Sequence, residues 1–190
     1  MKKLNFIIKC GLALLLLSFY SCESWLNVTP SDRLSEEMLF NDREGFVKAL
    51  NGVYIELNTN ELYGRNLTAG ALDVMGQYYS VASSSHAFYN YGGLVYTGND
   101  EKALFDNMWQ KCYAVIACCN TIIEKCDENK AGLSPVWKGA IKGEALALRA
   151  MLHFDMLRLF GPLTSELDKE SIPYQTNSDQ TVTPLLSGSE

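Results

Sequence analysis

Apolar residues return at helical spacing in three stretches of the chain. In the first, Phe46, Val47, Leu50, Val53, Tyr54 and Leu57 fall on one side of a 3.6-residue turn. The run Asn41-Asp42-Arg43-Glu44 precedes it. It predicts a capping box, with Asn41 as N-cap and Glu44 three positions on. Asn58-Thr59-Asn60 closes the helix, and Gly45 and Gly52 weaken it while permitting close packing.

The second stretch is the clearest. Phe105, Met108, Trp109, Cys112, Ile116, Cys119, Ile123 and Cys126 are three, four or one apart throughout. A start at Asn99 puts Asp100 and Glu101 in the first turn, where the helix dipole favours acids. The stop is expected before Asn129. The third stretch is bounded by Ser134 as N-cap, Pro135 at N1 and Gly161-Pro162 as terminator. Its middle, Ala145-Leu146-Ala147-Leu148, is apolar nearly all round, which predicts cover on more than one side. Gly139, Ala140, Gly143 and Ala147 predict a close crossing against the second helix.

Residues 60–98, between the first two helices, break the pattern. This stretch holds six glycines, a Ser83-Ser84-Ser85 run and tyrosines 63, 78, 79, 89, 91 and 96. Ala69–Tyr79 has room for a short helix and the remainder reads as a long loop. Such loops are usually functional or disordered. After Pro162 the chain turns polar, and no closing element is expected. An all-α fold with a loop-rich insertion and an open end follows.

The N-terminus has a different character. Lys2 and Lys3 precede an apolar run from Phe6 to Phe19, too short to span a bilayer. Residues 1–21 read as an export signal. Ser21-Cys22 ends the run and polar Glu23-Ser24 follows, which resembles a lipobox. That resemblance implies cleavage before Cys22 and lipid on its thiol, with two or three acyl chains giving stable anchoring. Phe19-Tyr20 departs from the Leu and small residue of stricter lipoboxes. The plainer alternative is ordinary cleavage with Cys22 left free. Residues 22–34 are a polar tether.

Removing the signal sharpens the charge. The chain carries 16 basic and 22 acidic residues. Without Lys2, Lys3 and Lys9 the remainder sets 13 against 22, a formal −9. That balance argues against nucleic acid, whose binding requires phosphate neutralisation. Beyond Cys10 and Cys22, four cysteines remain: Cys112, Cys118, Cys119 and Cys126. Their spacing matches no zinc pattern, so no metal site is expected. Cys112, Cys119 and Cys126 share a helix face about 10 Å apart, too far for disulfides with one another. They read as small buried apolar residues, and pairing with another part of the chain stays open.

Several motifs now align. Asn107-x-Trp109-x-x-x-Tyr113-x-x-Ile116-x-x-x-Asn120 resembles a helix of SusD/RagB-like proteins. Glu144-Ala145-x-x-x-Arg149-Ala150-x-x-x-Phe154-x-x-x-Arg158-Leu159-Phe160-Gly161 resembles another, with Ile172-Pro173-Tyr174 after it. Cys22-x-x-x-Leu26-x-Val28-x-Pro30, followed by Gly45 and Ala49-Leu50-Asn51-Gly52-Val53-Tyr54, resembles the lipidated start of that family. The resemblance implies an all-α, tetratricopeptide-like helical scaffold with loop insertions, here the N-terminal portion only (35–190). The chain's own sequence shows no clean 34-residue repeat. The resemblance further implies a lipid-anchored, surface-exposed outer-membrane protein that binds a nutrient, typically a glycan, for a SusC-like TonB-dependent transporter. It implies neither catalysis nor a cofactor. A helical protein-binding scaffold without its own ligand site is the alternative.

Chemistry nominates the loop tyrosines as the binding site. Flat rings stack on the apolar faces of sugars and amides reach their hydroxyl groups. Tyr78, Tyr79, Tyr89, Asn90, Tyr91 and Tyr96 supply both, with Phe88 among them. Packing of the loop onto the helices would use the same rings. Trp109, Tyr113, Phe154 and Phe160 read as core, and Asn120, Glu144 and Arg149 as polar groups satisfying helix contacts. An enzyme reading lacks parts. The only histidines are His86, beside Ser83–Ser85, and His153, two residues before Asp155. Neither spacing suits a nucleophile–base pair on its own element.

Overall fold

The computed structural model describes residues 35–179 and 183–189. The export signal (1–21), the tether (22–34) and Cys22 lie outside the described residues. Six helices and one pair of strands make up the described residues. They are α1 (Glu36–Leu39), α2 (Arg43–Leu57), α3 (Ala71–Met75), α4 (Tyr89–Gly92), α5 (Asn99–Glu128) and α6 (Pro135–Phe160), then β1 (Glu170–Pro173) and β2 (Leu185–Ser187). The predicted all-α scaffold is present. The closing strand pair is an addition to it.

Helix α5 runs for 30 residues and is the spine. It stops at Asn129, which adopts left-handed φ 49°. The Asn129 carboxamide fixes the turn: its Oδ1 accepts from Leu133 N at 2.8 Å and its Nδ2 donates to Leu133 O at 3.3 Å. Asparagine tolerates this backbone because its short polar side chain bonds locally. Ser134 then caps α6 by accepting from Trp137 N, with Pro135 in the first turn and Gly161 at the end. The chain therefore doubles back, and α6 packs antiparallel on α5.

Three stripes meet in the core. From α5 come Met108, Cys112, Val115, Ile116, Cys119, Ile122 and Cys126, all 1% exposed or less. From α6 come Ile141, Ala145, Leu148, Leu152 and Met156, and from α2 come Phe46, Leu50, Val53 and Leu57. Burying each large side chain here contributes about 1.5–3 kcal/mol. Cys112, Cys119 and Cys126 are free thiols in this core, as expected, and Cys118 is free on the exposed side.

Five sequence-based expectations about the helices need correction. The α2 N-cap is Asp42, not Asn41: Asp42 Oδ1 accepts from Gly45 N at 2.8 Å. Gly45 fixes that register, since a Cβ on it would sit 1.5 Å from the Leu39 carbonyl oxygen. Val47 and Tyr54 are exposed, so the buried α2 face is narrower than the periodicity suggested. Gly139, Ala140, Gly143 and Ala147 are exposed and make no close crossing. A Cβ on Gly139 or Gly143 would meet nothing within 4 Å; Ala145 is the small residue facing α5. Leu146, Met151 and Phe154 are exposed too, so among the described residues α6 is covered on one side. Phe154, at 59% exposure, is not core; the Arg158 guanidinium stacks on its ring at 5.2 Å.

The segment after Pro162 is better fastened than its polar sequence suggested. Strands β1 and β2 pair antiparallel, with Glu170 opposite Ser187 and Pro173 opposite Leu185 and an irregularity between. From the end of β1 onward the backbone is held by two helices at once. Tyr113 Oη donates to Pro173 O at 2.9 Å. Asn120 Nδ2 donates to Gln175 O and Asn177 O, and Arg149 Nη1 donates to Asn120 Oδ1 and Thr176 O. Glu124 accepts from Ser178 N and Oγ at 2.7 and 2.5 Å. Asn120 and Arg149 are thus structural polar groups. Glu144 joins them, accepting from Tyr54 Oη at 2.6 Å.

Candidate functional site

Residues 60–98 form a folded insertion on the N-terminal half of α5. Its anchor to α6 is polar: Tyr63 Oη donates to Asp155 Oδ2, whose other oxygen pairs with Arg158. Burial, then the hydrogen bond to Asp155, pushes the Tyr63 phenol well above its usual range. Its second anchor is aromatic. Tyr91 is 2% exposed and meets Phe88, Tyr96 and Phe105 at centroid distances of 5.8, 6.4 and 6.0 Å.

Helix α4 is a single turn, and a turn puts residues i and i+2 on different sides. Tyr91 therefore points inward while Tyr89 points outward. With Tyr79 and Asn90, Tyr89 lines a cleft of about 380 Å³ between the end of α3 and α4. Gln77, Ser80, Val81, Gly92, Gly93 and Val95 complete the lining. Tyr78, Tyr79 and Tyr89 are exposed at 80, 52 and 42%. Of the six nominated residues, the structure brings Tyr79, Tyr89 and Asn90 to this cleft and leaves Tyr78 exposed beside it. Tyr91 and Tyr96 do not line it. Both pack against α5 through Phe105, and they support the α4 turn.

Sequence reasoning passed over Gln77. Its backbone is left-handed, φ 61°, as is that of Leu94, φ 54°. Each ends a short helix with the same bonds. Gln77 N donates to Val74 O and Tyr78 N to Asp73 O; Leu94 N donates to Tyr91 O and Val95 N to Asn90 O. Glycine usually occupies such positions, and other side chains cost about 1 kcal/mol or more there. At Gln77 the side chain supplies a compensating link, Nε2 donating to Gly92 O at 2.8 Å and to Val74 O at 3.3 Å. The Gly76-Gln77 and Gly93-Leu94 pairs are the visible sequence signal.

Asn90 is held from below. Its Nδ2 donates at 2.7 Å to Glu101 Oε1, in the first turn of α5. That hydrogen bond, with one to the Glu101 backbone, holds the carboxyl below its usual value. Gly98 makes room for it, since a Cβ there would lie 1.9 Å from Glu101 Oε2.

The histidines are engaged elsewhere. His86 Nδ1 accepts from Phe88 N at 3.1 Å, while Ser83 and Ser85 hydroxyls bond to each other at 2.9 Å. His153 Nε2 accepts from Gln175 N at 3.1 Å, which leaves Nδ1 to donate to Arg149 O at 3.0 Å. Burial, with the nearby Arg149 charge, keeps this imidazole below its usual value. Among the described residues no group of three or more His, Cys, Asp or Glu is placed to hold a metal. Nor is any described helix long and apolar enough to cross a membrane.

Residues 24–186 match a family model described as "SusD-like_3: Starch-binding associating with outer membrane". The chain belongs to the SusD-like family. SusD-like protein P2 of Formosa agariphila is 26% identical over 166 residues, which cover 85% of this chain and 30% of that protein. A SusD superfamily protein of Bacteroides thetaiotaomicron superposes with a TM-score of 0.55 at 22% identity, over 73% of this chain and 31% of that one. The latter supports the SusD-like helical fold. The chain spans about a third of the length of these relatives. The motif residues Trp109, Tyr113 and Phe160 are partly buried and stack together, with centroids 4.8 Å apart for Trp109–Tyr113 and 5.0 Å for Trp109–Phe160. In this SusD-like chain they are scaffold.

Proposed function

We propose that this SusD-like chain is part of an outer-membrane lipoprotein that binds a glycan in the Tyr79–Tyr89 cleft and passes it to a SusC-like TonB-dependent transporter. The observation that carries the reading is the cleft itself. Two exposed tyrosines flank a concavity with amide groups in its wall, one of them on a turn that the buried Tyr91 ring holds in place. Sugar rings present C–H faces to aromatic planes and hydroxyl edges to amides, so side-chain types and cleft size agree. The starch-binding description of the family points the same way.

Cys22 carries the lipid in this reading and holds the protein at the cell surface. Incorporation of an alkyne-tagged palmitate, lost in Cys22→Ser, tests that part. The glycan part is tested by affinity electrophoresis of the chain in gels containing amylopectin, galactomannan or β-1,3-glucan. Retardation by at least one polysaccharide, lost in Tyr79→Ala and Tyr89→Ala, is the expected result. Unchanged retardation in both variants would move the site elsewhere, and no retardation by any polysaccharide would refute glycan binding by this cleft. Co-purification with a large outer-membrane β-barrel tests the transporter partnership.

A further inference from the structure

The cleft's polar groups are not neutral as to what they bind, and the inference drawn from them rests on the glycan reading above. Gln77 spends both N–H bonds inside the protein, on Gly92 O and Val74 O. Asn90 spends one on Glu101. Neither amide oxygen has a protein partner among the hydrogen bonds of the described residues, so the wall offers two fixed acceptors beside the Tyr79, Ser80 and Tyr89 hydroxyls, which can donate or accept. The turn beneath adds no backbone donors from residues 92–95. The N–H groups of Gly92, Gly93, Leu94 and Val95 return to the carbonyls of Phe88, Tyr89, Tyr91 and Asn90. No anion-binding nest of free N–H groups is left at that turn.

Charge repeats the pattern. No Lys or Arg lines the cleft. The Arg65 side chain is turned to the Phe88 ring, 5.7 Å from its centroid, and its Nε donates to Asn66 Oδ1. Directly behind Asn90 lies the Glu101 carboxylate, itself in a residue only 6% exposed. An anionic group entering the cleft would lose water, find only neutral hydroxyl and amide donors in exchange, and have the Glu101 carboxylate nearby with no lining cation to offset it. A hydroxyl group entering the same space can donate to the waiting oxygens.

We propose that this cleft selects uncharged glycans: it takes a polyhydroxyl chain and refuses the same chain bearing carboxylate or sulfate. The experiment uses matched pairs. Amylopectin, galactomannan and β-1,3-glucan are each run in affinity gels beside a form oxidised to the carboxylate at C6. Expected is retardation by a neutral polymer with its oxidised partner weaker by about tenfold or more at low salt. The gap narrows as salt is raised and in Glu101→Gln, which removes the charge and keeps an acceptor for Asn90. Equal or tighter binding of the oxidised form, abolished by Tyr79→Ala, would overturn the selectivity and leave the glycan cleft standing. Absence of retardation in every gel would overturn both.

Discussion

Asn120 is fully buried in mid-α5 and holds three partners, so its removal has a calculable effect. Its Nδ2 donates to the carbonyls of Asn177 and Gln175 at 2.8 and 3.2 Å, and its Oδ1 accepts from Arg149 Nη1 at 2.8 Å. In Asn120→Ala the two amide bonds cost about 1 kcal/mol each, and the charged one about 1.5 because Arg149 keeps Thr176 O and partial access to water. The expected loss is about 3–4 kcal/mol, a large share of the roughly 5–15 that holds a domain. Asn120→Asp is the sharper control. It keeps an acceptor for Arg149 but puts a second oxygen against two carbonyl oxygens, so it should be no more stable than the alanine variant. Urea unfolding gives the total. Amide exchange at Gln175–Ser178 reports where it is lost. A cost below about 1 kcal/mol, or an aspartate variant as stable as wild type, would mean that the donors to the 173–178 segment do not hold it.

The remaining expectations concern other links of the structure. His153 must stay neutral to accept from Gln175 N, and its folded-state value is depressed. The unfolded chain therefore takes up a proton first, and stability falls as pH drops below about 6.5, with the slope reduced in His153→Gln; urea midpoints between pH 7.5 and 5 measure this. Gly45→Ala places a methyl group 1.5 Å from Leu39 O and should cost more than about 2 kcal/mol, read as a drop in thermal midpoint, while Gly139→Ala, facing open space, should be neutral or stabilising. Tyr63→Phe leaves the buried Asp155 with Arg158 alone and should cost about 1.5–3 kcal/mol, with faster exchange confined to residues 60–70. Iodoacetamide should label Cys118 in the native protein and reach Cys112 and Cys119, pushed up by burial to about 12, only after unfolding, as peptide mass spectrometry would show.

Much of the scaffold was legible because its signals are local. Ser134-Pro135 and Gly161 bound α6 at the positions where a hydroxyl cap, a missing N–H and a missing Cβ are useful. Asn99 to Glu128 follows from the Phe105–Cys126 periodicity, the acids of the first turn and the stop before Asn129. The errors arise where two neighbours satisfy the same local rule. Asn41 and Asp42 both carry capping oxygens, and the choice is made by Gly45 sliding under Leu39 O, a contact between elements. The small residues of α6 could have faced α5; the larger volumes at Ile141, Leu148, Leu152 and Met156 took that side instead. Strands of four and three residues leave no period to read, and side chains over 50 residues earlier in the chain hold the backbone beyond β1. Among the nominated tyrosines, only the single turn of α4 separates outward Tyr89 from inward Tyr91.

That division has a structural consequence for the cleft. The rings from Phe88 through Tyr91, Phe105, Phe160, Trp109, Tyr113 and His153 to Tyr174 touch in sequence, each centroid 4.6–6.3 Å from the next. One end braces the α4 turn and the other lies against the segment that β1 leads into. Offset and edge-on ring contacts are worth about 0.5–1.5 kcal/mol each beyond burial and resist sliding, so the path is stiff as well as stable. The two left-handed residues at the cleft oppose that stiffness with strain that a loose loop would relax. A turn that keeps Gln77 and Leu94 in place must be held from behind, and the ring series supplies the hold. The family-motif aromatics on α5 and α6 thus bear on the proposed binding indirectly: they brace the α4 turn that carries Tyr89 without lining the cleft themselves.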